Sequence, residues 1–72
     1  MDDLARLLRD RRVALGFSQR GLANEADVPY HVVTAIEFER RSSPPRPEHL
    51  SGLSRALELS AADLLRAYGY RL

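Results

Sequence analysis

The basic residues are the first in this sequence whose type and spacing could do chemistry. All eleven are arginines, and most of them fall in two clusters. The clusters are Arg6, Arg9, Arg11 and Arg12, and then Arg40, Arg41 and Arg46. An arginine presents a planar fork of N–H donors that suits the geometry of a phosphate. A GC-rich genome would also favour arginine codons, so the clustering rather than the total indicates a polyanionic partner.

The residue types that commonly serve in catalysis or metal binding do not form a recognisable pattern. His31 and His49 are far apart in the sequence, and neither has a cysteine or a pair of carboxylates at ligand spacing. There is no glycine-rich loop of the phosphate-binding type. Ser18 and Ser60 are better explained as helix caps than as nucleophiles. The sequence therefore predicts a protein that is not an enzyme and that uses neither a cofactor nor a metal ion.

Length and composition limit the classes of protein to consider. The 72 residues suffice for one small domain, which we expect to span 1–72. No cysteine is present to form a disulfide or a thiolate metal site. No apolar run approaches the roughly 18 residues of a membrane span, and the start of the chain lacks a signal-peptide pattern. These features predict a cytoplasmic protein without membrane contact, although a net charge of +1 alone would not suggest a polyanionic partner.

Three short helices are predicted in the first half of the chain. The leucine spacing indicates a first helix from about Asp3 to Leu15, and Gly16 is placed to end it. Ser18 is a good N-cap for a second helix over 19–26. Pro29 suits the first turn of a third helix, because its missing N–H would have no partner there. The inward positions of the second and third helices are Leu22, Ala23, Ala26, Val33 and Ile36.

The segment from His31 to Ile36 has a competing interpretation as a strand. Its β-branched residues favour a sheet. The sequence contains no second strand pattern with which it could pair, so a helix is the better prediction. The side of this helix away from the inward positions then carries Tyr30, His31, Thr34 and Ala35.

The second half of the chain predicts two more helices. The proline-rich stretch 42–47 stiffens a loop that is too short to link two domains. A fourth helix should start near Pro47 and place on one stripe Leu50, Leu53 and Leu57. The stretch Ser60–Asp63 resembles a capping box that opens a fifth helix, which Gly69 would end before a tail at 69–72. The sequence therefore predicts a compact all-α domain of five helices.

Several short motifs along the chain match a known family. They are Leu15-Gly16-Phe17-Ser18-Gln19, Leu22-Ala23, Val28, Ile36-Glu37, Leu53-Ser54-Arg55-Ala56-Leu57, Leu59-Ser60 and Leu64-Leu65. With these residues the chain resembles the lambda-repressor-like helix-turn-helix DNA-binding domains of the Cro/repressor, xenobiotic-response-element type. The match covers nearly all of residues 4–67. It implies a five-helix lambda-repressor-like domain with its helix-turn-helix at helices 2 and 3, about residues 18–38.

The resemblance also implies structural and phosphate-binding roles. The positions that match Arg12 and Glu37 form an ion pair in the family, although Arg12 could instead face DNA. Gln19 matches the residue that binds a phosphate at the N-terminus of the second helix, and Arg20 beside it is within phosphate reach. Asp27 replaces the usual glycine of the turn, which its tolerance of left-handed geometry permits.

The third helix corresponds to the recognition helix of the family. Its base-facing positions match Tyr30, His31, Thr34 and Ala35, with Pro29 and Val32 at the margin. None of these is Arg, Asn or Gln, the residues that bind bases in a bidentate manner, so base contacts should be sparse. The loop that follows runs along the phosphates in the family, and here it contains Arg40, Arg41 and Arg46.

The function implied is that of a sequence-specific regulator of transcription that binds double-stranded DNA. We expect a nucleoid-associated bacterial or phage repressor that binds an inverted repeat as a homodimer through the major groove. One alternative is a helix-turn-helix module that binds a protein partner, such as an antitoxin, which the apolar character of Tyr30, Val32 and Phe38 favours. Another is the N-terminal DNA-binding module of a longer regulator.

Overall fold

A computed structural model describes residues 3–38 and 45–69, and these residues form five α-helices. The helices are α1 (Leu4–Ala14), α2 (Gln19–Ala26), α3 (Tyr30–Glu37), α4 (Pro47–Leu57) and α5 (Ala61–Tyr68). No strand occurs in the described residues, so the predicted all-α fold is confirmed and the segment from His31 to Ile36 is helical. None of the five helices is long and apolar enough to cross a membrane.

The predicted helix starts are correct to within one residue. Ser18 Oγ accepts a hydrogen bond from the N–H of Gly21 at 2.9 Å, and Ser60 Oγ accepts one from the N–H of Asp63 at 3.0 Å. These bonds satisfy backbone donors that the first turn of a helix leaves without a partner. Pro29 is the N-cap of α3 rather than part of its first turn, because its ψ angle of 142° is extended.

Three helices end in a residue of left-handed backbone conformation. Gly69 closes α5 with a φ of 115°, as predicted. Asp27 closes α2 with a φ of 56°, in agreement with its predicted role in the turn. Glu58 closes α4 with a φ of 58°, which no sequence signal indicated. A residue with a Cβ pays about 1 kcal/mol for this conformation, so α4 ends with some backbone strain.

The helices pack around one core of aliphatic side chains. Its buried members are Leu4, Leu8, Leu22, Ala23, Ala26, Val28, Val32, Val33, Ile36, Leu50, Leu53, Ala56, Leu57 and Leu64. Val32 corrects a sequence-based expectation. We placed it at the margin of the DNA-facing surface, but it is 1% exposed. An eight-residue helix between α1 and α2 buries a wide stripe, and Val32 belongs to that stripe together with Val33.

Helices α2 and α4 approach each other closely at Gly52. A Cβ atom at this position would overlap the carbonyl oxygen of Ala26 and lie 3.2 Å from its carbonyl carbon. The same atom would lie 3.5 Å from Cγ1 of Val28. Because the obstacle is backbone, a larger residue could be accommodated only if one helix moved away from the other. Gly52 therefore fixes how close α4 lies to the end of α2.

Two long-range hydrogen bonds connect α1 with the C-terminal helices. Nε of Arg11 donates to the carbonyl oxygen of Leu57 at 2.8 Å, where α4 ends. The N–H of Asp3 donates to the carbonyl oxygen of Ala67 at 2.8 Å. The last carbonyls of a helix have no partner within it, so these bonds satisfy acceptors and hold α4 and α5 against α1.

Candidate nucleic-acid interface

Helices α2 and α3 and the three-residue turn between them pack together as one unit. The N–H of Val28 donates to the carbonyl oxygen of Ala23 at 3.0 Å, which closes the end of α2. Leu22, Val33 and Ile36 are all buried within the unit. The buried stripe of α3 thereby orients its opposite side, and that side is the one we predicted to face a nucleic acid.

The outward side of α3 carries the four residues that the sequence predicted there. Tyr30 and His31 are exposed, whereas Thr34 and Ala35 are half-buried. Oγ1 of Thr34 donates to the backbone carbonyl oxygen of His31 at 3.2 Å, so its hydrogen points along the helix. In this rotamer Thr34 offers to an incoming group its oxygen lone pairs and its methyl group.

An ion pair between Arg12 and Glu37 joins α1 to the end of α3. Nε of Arg12 donates to Oε2 of Glu37 at 2.6 Å, and Nη2 donates to Oε1 at 3.1 Å. Nη1 of the same guanidinium donates to the carbonyl oxygen of Phe17 at 2.9 Å. The Arg12 side chain is 13% exposed and the Glu37 side chain 3%. Arg12 is therefore turned towards the protein interior, which is the structural position that the resemblance implied.

Gln19 extends this polar group from α1 and α3 to α2. Its Nε2 donates to Oε1 of Glu37 at 3.2 Å. The carboxylate of Glu37 thus receives hydrogen bonds from both a guanidinium and an amide, which offset the cost of burying its charge. Because Gln19 is the first residue of α2, the bond also fixes that helix N-terminus relative to the end of α3.

Tyr30 connects the buried polar group to the surface. Its Oη lies 3.5 Å from Oε1 of Gln19, a long hydrogen bond. The guanidinium carbon Cζ of Arg20 lies 4.2 Å from the centroid of the Tyr30 ring. This distance places the cation over the negative face of the ring, where the two attract each other. Neither contact was predicted from the sequence, because Tyr30 is a neighbour of Gln19 and Arg20 only after α2 and α3 have packed together.

The second arginine cluster lies mostly outside the described residues. Arg40 and Arg41 are in the segment 39–44, which the structure does not describe. Arg46 is exposed, and its Nη1 lies 4.0 Å from Oε1 of Glu48. Exposed pairs at this distance are weak, so Glu48 leaves Arg46 able to bind another anion.

The described residues contain no group of three His, Asp or Glu that could hold a metal ion. His49 lies at the start of α4, and its Nδ1 is buried without a hydrogen-bond partner in the structure. His31 lies on α3, so the two histidines belong to different helices.

The family of helix-turn-helix domains designated HTH_3 matches residues 8–64. Similar solved structures include one titled as the master regulator for biofilm formation SinR in complex with DNA. It is 26% identical, has a TM-score of 0.77, and the alignment covers 86% of this chain and 97% of that one. Another is the N-terminal DNA-binding domain of SinR from Bacillus subtilis, with 26% identity, a TM-score of 0.79, and coverage of 86% and 88%.

The sequence has no significant match among curated proteins. The family match is nevertheless extensive, since it includes α2 and α3 whole and reaches from within α1 to within α5. The arrangement of buried and exposed residues around α3 is also the one that a helix-turn-helix requires. This chain therefore belongs to the helix-turn-helix family HTH_3.

Proposed function

We propose that this protein is a non-enzymatic regulator of transcription that binds double-stranded DNA by inserting α3 into the major groove. The observation that carries the proposal is the two-sided character of α3. Its inner stripe and the Arg12–Glu37 pair fix it on the domain, and its outer side presents Tyr30 and His31. A groove about 12 Å wide admits a helix presented in this way. The likeness to a regulator whose structure contains DNA supports the same function.

We assign the contacts with the DNA backbone to residues that precede and follow α3 in the sequence. Gln19 and Arg20 lie in the first turn of α2, where the helix dipole favours an anion. Arg46 lies ahead of α4, and Arg40 and Arg41 precede it in the sequence. Such phosphate contacts set register and affinity, and they make binding strongly dependent on salt.

Base recognition is assigned to the outward side of α3. His31 can donate to or accept from a base edge, whereas Thr34 and Ala35 can pack against a thymine methyl. These contacts are few and are not bidentate, so a single domain would distinguish weakly between sequences. A homodimer on an inverted repeat would double them, with half-sites about 34 Å apart. A regulator of this kind acts in the compartment that holds the DNA.

Selection of bound sequences from a random pool of duplexes, repeated at two salt concentrations, tests the proposed function. We expect one enriched motif with two inverted halves. Substitution H31A should relax the preference at one base pair of each half, whereas R41A should weaken binding to all sequences and lower the salt slope by about 1. Substitution R66A, on α5 and paired with Asp63, is the control and should change neither. A pool without any enriched motif would contradict sequence-specific regulation.

Binding of a protein partner is a second candidate function, favoured by one exposed apolar side chain. Phe38 directly follows α3 and is 59% exposed. Val32, which we had grouped with it, is buried and cannot contribute. If this function were the correct one, H31A and R41A would leave DNA affinity unchanged, while F38A would reduce binding to the partner.

A further inference from the structure

The orientation of the Gln19 amide follows from the hydrogen-bonding capacity of its neighbours. The carboxylate of Glu37 can only accept, so the group that faces it across 3.2 Å must be the NH₂ of Gln19. The carbonyl oxygen of the same amide then faces Tyr30, whose Oη lies 3.5 Å away. That oxygen can also only accept. The hydroxyl of Tyr30 can therefore donate its single hydrogen inwards, to Gln19, in a long hydrogen bond.

This arrangement limits what Tyr30 can offer to DNA. While the hydroxyl donates its hydrogen to Gln19, it presents lone pairs outwards, and these cannot bind a phosphate oxygen, which is itself an acceptor. The ring of Tyr30 is engaged as well, because the guanidinium of Arg20 lies over it at 4.2 Å. An arginine stacked on an aromatic face keeps the N–H donors at the edge of its plane available for a phosphate.

We infer that Tyr30 is a positioning residue, which holds the guanidinium of Arg20 ready for a phosphodiester of the DNA backbone. The inference rests on the proposed function and deepens it. A long exposed side chain loses conformational entropy when it binds DNA. Because the stack on Tyr30 already restricts Arg20, less of this entropy is left to lose on binding.

The stack is connected to the interior of the domain by a continuous series of contacts. Arg12 binds Glu37, Glu37 accepts from Gln19, and Gln19 accepts from Tyr30. The series starts at Arg12 and Glu37, whose side chains are 13% and 3% exposed, and ends at Arg20, which lies on the surface. The position of the surface cation is thereby tied to a group that is well fixed in the fold.

Affinity for a duplex of arbitrary sequence, measured over a range of salt concentrations, tests this inference without knowledge of the operator. The variants are R20A, Y30A, Y30F and the double variant R20A/Y30A, with R66A on α5 as the control. We expect R20A to lower the slope of log affinity against log salt by about 0.9, the value for one phosphate contact. Y30A should weaken binding in the presence of Arg20 and have no further effect in the R20A background. Y30F keeps the ring but loses the long bond to Gln19, so it should weaken binding less than Y30A does.

Two results would overturn the inference while leaving the proposed function in place. In the first, Y30A weakens binding equally with and without Arg20, which would mean that Tyr30 contacts DNA independently. In the second, Y30A or Y30F removes the preference for one base pair in the selected motif, which would make Tyr30 a reader. A wild-type protein that binds no duplex at low salt would instead overturn the proposed function. Circular dichroism and thermal melting of each variant confirm that the fold is intact.

Discussion

Helix α2 is held on two sides by different kinds of contact. On the side of α4, it is held by shape, since Gly52 brings the backbone of one helix against the carbonyl of Ala26. At its N-terminus it is held by polar groups, since Gln19 binds the carboxylate of Glu37. Shape fixes the distance between two helices, and hydrogen bonds fix the orientation of particular groups. The second kind of contact is the one that continues to the surface and to the proposed DNA contacts.

We expect the largest loss of stability when the polar contacts that hold the N-terminus of α2 are broken at their most buried residues, Arg12 and Glu37. Substitution R12A leaves the carboxylate of Glu37 without its main partner at a site with little access to water. We expect the free energy of unfolding to fall by about 3 kcal/mol in a urea titration, since an unpaired buried charge is costly. R6A, an exposed position of the same helix, should change it by less than about 0.5 kcal/mol.

A double variant separates the cost of a stranded charge from the value of the pair itself. Replacement of both Arg12 and Glu37 by methionine removes the two charges together and should recover most of the stability that R12A loses. If R12A and R6A were equally stable, the Arg12–Glu37 pair would contribute nothing to the stability of the domain.

A smaller loss of stability is expected from G52A, which disrupts the close packing of α4 against α2. The added Cβ would meet the carbonyl of Ala26, so α4 must move away from α2. We expect the free energy of unfolding to fall by about 2 kcal/mol, although alanine in a helix gains about 1 kcal/mol over glycine. S51A, at the exposed neighbouring position of α4, is the matched control and should be nearly neutral. A G52A variant more stable than the wild type would contradict the close approach.

The smallest expected effect is a gain in the free energy of unfolding rather than a loss. E58G relieves the left-handed backbone at the end of α4 without altering the contact at Gly52. We expect thermal and urea unfolding to show a gain of about 0.5–1 kcal/mol, because glycine adopts a positive φ freely. E58A keeps the strain and loses only the side chain, whose 4.0 Å approach to Arg11 is exposed and weak. A gain in E58A as large as that in E58G would assign the effect to the side chain instead.

The parts of the fold that could be predicted from the sequence are those with local causes. Ser18 and Ser60 cap helices through bonds to residues three positions later, and Gly69 ends α5 through its own backbone freedom. The left-handed conformation of Glu58 was not predicted, because glutamate carries no preference for it. The N–H of Leu59 donates to the carbonyl oxygen of Ser54 at 3.0 Å and closes α4 with Glu58 in that conformation.

The candidate site was predictable in its outline and not in its bonding. The spacing of Val33 and Ile36 placed Tyr30 and His31 on the outward side of α3, where the structure has them. The assignment of Val32 was wrong, since helical spacing alone does not say how wide the buried stripe is. The contact of Tyr30 with Arg20 depends on how the N-termini of two helices meet, and only the three-dimensional structure contains that information.

The bond from Asp3 to Ala67 has a topological consequence. Residues 3 and 67 lie side by side, so the polypeptide enters and leaves the helical bundle at the same place. The described region could therefore be inserted into a surface turn of a carrier protein, because the two connections would leave from the same place and neither would have to cross the bundle. The same geometry would let a short linker join the two ends of the described region into a ring, with new ends opened elsewhere on the surface.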